Sequence, residues 1–451
     1  MAEPASERPA GPNRPRRISR SPGERWHWPA SRGTVIEAGA PSAAPGEVLR
    51  IGLLTHSVLP RGGVVHSLEL AEALTAAGHA VTLFAPAAPG EKLFRTPACT
   101  VEEVPVPATP PGATRAMVEA RIAGYIAHLR ARLAAGARWD LLHAHDGIGA
   151  NALAELRAQG RIGPWLRTVH HLDRYSDPVI DAFQQRGVRE ADTLLCVSAH
   201  WAGQLARDWG RPAEAVPNGV DLQRFQPAAG PLDALLARRW GLGGGPVVLA
   251  VGGIEARKNT ARLLEAFLGL RQARPGAQLL IAGGASLLDH GREVAAFRAR
   301  LEACAAAEAR GPWGGPGSPV IVTGPLPDEL MPSLYRRADV MALPSLNEGF
   351  GLVVLEALAS GCPVVVPQNP PFTEYLDPRA EPELAAAVSW CDPLAPETLQ
   401  AALVQALDRP RPAPPAVCAR YAWARSAERH LAVYRAHLAR HAAPLPLHLP
   451  A

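Results

Sequence analysis

No stretch of about eighteen consecutive apolar residues occurs in the 451-residue chain, which excludes a membrane-spanning helix. Nor does the amino terminus carry the apolar centre of a secretory signal, so cytoplasmic residence is the expectation. The six cysteines, Cys99, Cys196, Cys304, Cys362, Cys391 and Cys418, fall without paired spacing and form no CxxC. That pattern excludes a disulfide framework and fits reduced thiols. An excess of one charge is missing too. The 46 basic residues face 42 acidic ones for a formal net charge of +4, too balanced to mark a nucleic-acid surface. No GxGxxG follows the first apolar strand, which argues against a dinucleotide such as NAD. Lysine is the scarcest basic residue: Lys92 and Lys258 are the only two, and arginine supplies the rest.

What is present is enough for two or three domains, with 47% hydrophobic and 20% charged residues. Residues 1–46 are rich in Pro, Arg, Ser and Gly and lack the apolar surface to offset ordering entropy, so a disordered tail is expected. The last residues, 441–451, are expected to be a second one. From residue 48 the order is apolar strand, Gly62-Gly63, a helix over 64–77 ending at Gly78, and a strand over 80–85. This is a βαβ unit and implies a parallel sheet. Strands over 139–145, 165–171 and 193–198 extend it, placing His145, His170 and Ser198 at strand ends, where open α/β sheets bind ligands. A second alternating series runs from 247 to 366, followed by helices over 394–408 and 420–440 separated by the proline-rich stretch 410–415. The expected architecture is α/β: two Rossmann-like, doubly wound domains, 47–225 and 226–415, with a segment over 416–440 returning to the first.

The densest chemical signal lies in residues 347–364. Gly349 and Gly351 flank Phe350 between a buried strand and a helix, a place where backbone approaches phosphate closely. Glu348 lies in the loop, nearer the mouth of the crevice. Glu356 lies about two turns away on an otherwise apolar helix, where a carboxylate needs a cavity to line. Its two oxygens suit a ribose diol. Arg257 and Lys258 follow the first strand of the second domain, a planar fork and a point charge suited to a diphosphate. Gly62 and Gly63 offer a weaker backbone approach from the opposite domain. His143-Ala144-His145-Asp146 and His170-His171-Leu172-Asp173 raise the alternatives of a zinc site, hydroxyl recognition or core histidines. Hydroxyl recognition ranks above a metal, none is expected, and His145 is the chosen active-site histidine. The amphipathic helix over 115–134, with Val118, Ile122, Ile126, Leu129 and Leu133 on one side and arginines on the other, either packs on its own sheet or skims anionic lipid.

These residues resemble the retaining glycosyltransferases of GT-B fold, the large group that includes glycogen, sucrose and mannosyl transferases. The likeness runs from Leu49-Arg50-Ile51 through Pro60-Arg61-Gly62-Gly63, the His145 strand, Asn218-Gly219-Val220-Asp221, Arg257-Lys258-Asn259 and 338–366 to 423–434. The glutamate pair with seven residues between, followed by Ala357-Leu358-Ala359-Ser360-Gly361-Cys362-Pro363, is its most specific part. The resemblance implies a hexosyltransferase that uses a nucleotide diphosphate sugar as co-substrate, has no further cofactor and retains anomeric configuration. It further implies that Glu356 binds the donor ribose, Glu348 faces the sugar near its reacting carbon, Arg257 and Lys258 hold the leaving diphosphate, and His145 stands opposite on the acceptor domain. The sequence departs from the family after Val366, where Pro367-Gln368-Asn369-Pro370-Pro371-Phe372-Thr373-Glu374 replaces a glycine-rich turn with a glutamate. The expected partners are a nucleotide-sugar donor and a hydroxyl acceptor of unassigned identity, with peripheral contact at the inner membrane face where that acceptor is a lipid. A phosphorylase would need a second lysine for pyridoxal phosphate. A sugar-nucleotide epimerase of the same fold and a catalytically silent binding protein remain the alternatives.

Overall fold

The computed structural model describes residues 47–110, 112–284, 291–308 and 313–441. The tail expected over 1–46, all but His441 of the one expected over 441–451, and part of the loop 311–319 lie outside the described residues; His441 ends a helix.

Thirteen strands form two sheets among the described residues. The first contains β1 (Arg50–Leu54), β2 (Ala80–Ala87), β3 (Thr100–Pro105), β4 (Leu141–Ala144), β5 (Leu166–Val169), β6 (Thr193–Cys196) and β7 (Glu214–Ala215), in the spatial order β3-β2-β1-β4-β5-β6-β7. The second contains β8 (Val247–Val251), β9 (Gln278–Ala282), β10 (Val320–Gly324), β11 (Val340–Ala342), β12 (Val364–Pro367) and β13 (Val388–Cys391), ordered β10-β9-β8-β11-β12-β13. Every pairing is parallel. Helices cover both faces, which is why strands such as Ile51-Gly52-Leu53-Leu54 and Val247-Val248-Leu249-Ala250 read as unbroken apolar runs. In each sheet the strand order reverses beside the first strand, between β1 and β4 and between β8 and β11. The crevice at such a reversal lies beyond the carboxyl ends of the strands. The α/β, twice doubly wound fold read from the sequence is therefore the observed one.

The helix Thr114–Ala134 buries Val118, Ile122, Tyr125 and Leu129 in the core of the first sheet, together with Phe84, Leu142 and Trp165. The helix Trp423–His441 crosses back to this sheet. Its Trp423, Ala427, Leu431 and Tyr434 share one core with Ile51, Leu53, Leu70 and Leu74. Burial of that apolar stripe drives the return, and the backbone amide of Val220 donating to the Tyr421 carbonyl at 2.8 Å stitches its start. Two arginines tie the halves together: Arg95 reaches Glu69 at 2.5 Å and Asp328 at 3.3 Å, and Arg224 reaches Asp328 at 2.7 Å and Glu69 at 3.7 Å. Among the described residues no helix is long and apolar enough to cross a membrane.

Candidate active site

Beyond β8 the chain turns through Gly252 and Gly253 and reaches Asn259, a non-glycine residue at φ 60° that starts the helix Thr260–Ala273. The Asn259 side-chain amide explains this uncommon backbone. It donates to the carbonyls of Pro344 and Pro393, at 3.1 and 2.6 Å, and so anchors the loop that follows β11. The Leu346 amide donates to the Arg257 carbonyl at 2.8 Å. Two loops distant in sequence are thereby held side by side. As a result Lys258 Nζ lies 2.7 Å from Glu348 Oε2, and the Arg257 guanidinium 3.5 Å from the same oxygen. Ser345 Oγ and the Gly349 amide also donate to Glu348, at 3.3 and 3.2 Å. Burial acts to raise this carboxyl, but Lys258 and then Arg257 override it and hold the group down at about 2. Its side chain is 12% exposed. Arg257 also contacts the Asn347 carbonyl and Glu255, at 3.2 and 3.4 Å.

Gly351 precedes the helix Leu352–Ala359 at φ 89°, and a Cβ there would sit 2.8 Å from the Phe372 ring, so only glycine fits. No side chain caps this helix start. Phe350 is buried and stacks on Tyr375 with ring centroids 4.8 Å apart. It is thus a wall residue whose carbonyl accepts from Tyr375 at 3.0 Å. Glu356, on the same helix, accepts from the Tyr335 hydroxyl at 2.7 Å. Burial raises its carboxyl to about 7, against the opposing pull of the Tyr335 hydrogen bond and of Arg224. Glu69 and Asp328 add like charge in its surroundings.

The first domain meets this loop closely. A Cβ on Gly349 would lie 2.2 Å from the His170 carbonyl, so the absence of a side chain lets the two domains touch. The Trp201 indole donates to the Glu348 carbonyl at 3.1 Å. Gly63 faces the rings of His170 and His56, whereas Gly62 has open space around it. His145, one residue beyond β4, is 2% exposed, and burial lowers its imidazole well below the ordinary range. Its ring lies 5.9 Å from that of His170. The His143 ring lies beside that of His145, with centroids 4.2 Å apart, but it is not free to meet a ligand. Both of its ring nitrogens are occupied, one by the Tyr434 hydroxyl at 2.8 Å and the other by Thr168 Oγ1 at 2.9 Å. The returning helix, absent from any local reading, supplies the first of these partners.

The structure therefore brings Glu348, Arg257, Lys258, Gly349 and Gly351 into one loop cluster, with His145 one residue behind the His170 contact. Sequence reasoning missed Tyr335, Arg224, Trp201 and Ser345, none of which carried a signal.

Residues 60–224 match the family model described as Glycosyltransferase Family 4, and residues 237–422 match Glycosyl transferases group 1. The chain is 30% identical over 359 residues to the phosphatidyl-myo-inositol mannosyltransferase of Mycobacterium tuberculosis, covering 75% of this chain and 85% of that protein. It is 33% identical over 256 residues to the D-inositol 3-phosphate glycosyltransferase of Salinispora arenicola, covering 51% of this chain and 54% of the other. The chain thus spans about half the length of that relative. Among solved structures, sucrose-phosphate synthase from Thermosynechococcus elongatus superposes with a TM-score of 0.65 at 22% identity, over 86% of this chain and 99% of that one. Anabaena HepE in complex with UDP and glucose does so with 0.59 at 17%, over 88% and 100%. The chain belongs to the GT-B glycosyltransferases.

Proposed function

We propose that this glycosyltransferase moves a hexose from a nucleotide diphosphate sugar to a hydroxyl acceptor, with retention of anomeric configuration. The observation that carries the reading is the meeting of Glu348, Lys258 and Arg257 in one buried cluster, a step away from His145 and His170 of the opposite domain. Breaking the bond between the sugar carbon and the phosphate oxygen leaves negative charge on the diphosphate and positive charge on the sugar ring. Lys258 and Arg257 stabilise the first and Glu348 the second, and fixed charges of this kind need no rearrangement as the reaction proceeds. The acceptor oxygen bonds to the sugar carbon, and its proton goes to the phosphate oxygen that the sugar leaves. Glu356 takes the donor ribose, and the uncapped helix start at Gly351 faces the diphosphate. Gly62 and Gly63 bring backbone toward the same phosphates from the first domain.

No further cofactor enters this chemistry. The names of the relatives support a polar, hydroxyl-bearing acceptor. The reaction is placed in the cytoplasm, with peripheral membrane contact where the acceptor is a lipid. A screen of UDP-, GDP- and ADP-sugars by thermal shift tests the reading, because a ligand that binds only the folded chain raises its melting temperature. A stabilising sugar nucleotide is then incubated with acceptor hydroxyls and the product isolated. Stabilisation followed by an altered sugar nucleotide and no transferred product overturns the reading in favour of an epimerase. No stabilisation by any of the three classes overturns it outright.

A further inference from the structure

Arginines that this chain buries in part commonly meet a carboxylate: Arg95 meets Glu69, Arg224 meets Asp328 and Arg336 meets Asp233. Arg61 and Arg121, beyond the carboxyl end of β1, meet none. We propose that this pair forms an anion site on the first domain, separate from Arg257 and Lys258, that takes the phosphate of a phosphorylated hydroxyl acceptor. The acceptor role rests on the transfer reading; anion binding itself does not.

Arg61 ends the loop after β1 and directly precedes the helix Gly62–Ala76. Arg121 lies about two turns into the helix Thr114–Ala134, and its guanidinium donates to the His56 carbonyl at 2.8 Å. The His56 ring packs on the start of the helix that Arg61 precedes, its Cε1 3.7 Å from where a Cβ on Gly63 would stand. Three segments thereby bring both arginines to one strand end, the side of an open α/β sheet that binds ligands. Arg61 Nη1 is buried without a hydrogen-bond partner, and among the described residues neither guanidinium has a carboxylate within 4.0 Å.

Electrostatics agrees with this placement. Burial, and then the charge of Arg121, lowers the Arg61 guanidinium; burial lowers Arg121 as well. Burial, Arg61 and Arg121 together hold the His56 imidazole at about 3, so that ring stays neutral. Glu255 opposes the shift of Arg61, and Glu91 and Asp146 that of Arg121, all from beyond pairing distance. Two like charges held together under burial destabilise the free chain, and a bound dianion offsets that cost. Planar guanidinium forks match the oxygens of a phosphate.

In the transfer reading the donor's diphosphate meets Lys258, Arg257 and the helix start at Gly351, all in the second domain. Arg61 and Arg121 belong to the first. Glu255, which contacts Arg257 at 3.4 Å, is the second-domain group that acts on Arg61, so the pair faces the loop of Arg257 and Lys258. Asp146, one residue beyond His145, accepts from the Gly149 amide through Oδ1 at 2.8 Å and keeps Oδ2 buried and unpartnered. A hydroxyl of the same acceptor can donate to that oxygen. A neutral polyol would satisfy Asp146 and leave both arginines uncompensated, which selects for the charged acceptor.

The test titrates inorganic phosphate alone into the full chain, read by calorimetry and melting temperature. Phosphate should bind and stabilise the parent. Arg61→Met and Arg121→Met should each weaken it by about tenfold or more through loss of a charge-assisted contact. Lys258→Met, and Arg130→Met on the exposed face of the same helix, should retain it. Without phosphate, Arg61→Met should melt above the parent, because it removes a buried charge that has no partner; a purely structural arginine would melt below it. Arg121→Lys keeps the charge and serves if Arg121→Met does not fold.

With a stabilising sugar nucleotide, glucose, glycerol and myo-inositol are then offered with and without a phosphate ester. Phosphatidylinositol in phosphatidylcholine vesicles separates a lipid headgroup from a soluble ester. Transfer should favour the phosphorylated forms from either source, and Arg61→Met should raise their KM at least tenfold while nucleoside diphosphate affinity holds. Absent phosphate binding, binding lost only in Lys258→Met, or an equal loss of nucleotide affinity in the Arg61 and Arg121 variants overturns the proposal. Equal transfer to neutral and phosphorylated acceptors overturns it and leaves the transfer reading intact. Phosphate binding at Arg61 and Arg121 with no sugar nucleotide bound removes the transfer reading and leaves the anion site.

Discussion

Replacing Glu348 by glutamine tests both the ion cluster and the chemistry assigned to it. The carboxylate lies 2.7 Å from Lys258 Nζ and 3.5 Å from Arg257, and it is held at about 2 against an ordinary 4.5. That gap corresponds to about 3 kcal/mol favouring the charged form in the folded chain. The folded value is depressed, so the contribution is complete above 4.5 and fades as pH falls toward 2. Glu348→Gln should therefore be about 3 kcal/mol less stable than the parent at pH 7 and less stable by a clearly smaller margin at pH 3, measured by urea unfolding. Transfer should fall by about 10²–10³ because the positive charge developing on the sugar loses its counter-charge. Nucleoside diphosphate affinity should hold or rise, since Lys258 and Arg257 no longer answer to a competing carboxylate. Equal stability of the two proteins at both pH values would refute the ion cluster, and an unchanged turnover would refute the catalytic role.

Three further outcomes follow from the same geometry. Lys258→Met should weaken nucleoside diphosphate binding by about tenfold or more in calorimetry, the loss of a charge-assisted contact; unchanged affinity would remove Lys258 from the phosphate site. Burial holds Glu356 at about 7, so, if it takes the ribose as proposed, nucleotide affinity should rise as pH increases through that value and the carboxylate ionises. Tyr335→Phe removes a hydrogen bond that favours the ionised form and should move the midpoint upward; a flat profile from pH 6 to 9 counts against Glu356 as the ribose ligand. Gly349→Ala places a Cβ 2.2 Å from the His170 carbonyl and should force the domains apart, lowering kcat/KM more than nucleotide affinity. Steady-state kinetics beside calorimetry would reveal whether both fall equally.

Legibility in the sequence tracked local physics. Strands buried on both faces, such as Leu279-Leu280-Ile281 and Val364-Val365-Val366, stand out as apolar runs. β3, with the sequence Thr100-Val101-Glu102-Glu103-Val104-Pro105, is an edge strand with half-buried acids and carried no such mark. The helix Gly147–Ala158 is buried nearly all round by small residues, so it lacks the one-sided periodicity that reveals surface helices. In the site, Glu348 and Glu356 were readable because carboxylates are out of place in apolar surroundings, and Lys258 because lysine is rare here. Tyr335 and Arg224 look like ordinary residues of a helix and a turn; only tertiary packing makes them neighbours of Glu356. His66 carries no distinguishing spacing in its helix. The long-range fold alone sets it beside His145 and His170.

The segment after β12 that departs from the family pattern ends in a contact with mechanical meaning. Glu374 accepts from the backbone amides of Ala199 and His200, both at 2.8 Å, at the start of the helix Ala199–Trp209 in the opposite domain. One half of the molecule thus adds to the Ser198 cap of a helix in the other. Swinging the halves apart would strip two first-turn amides of their partner and separate a carboxylate from a positive dipole end, at about 1 kcal/mol. This contact biases the two halves toward staying together, and raising ionic strength or substituting Glu374 by glutamine should weaken it without touching Glu348, Arg257 or Lys258.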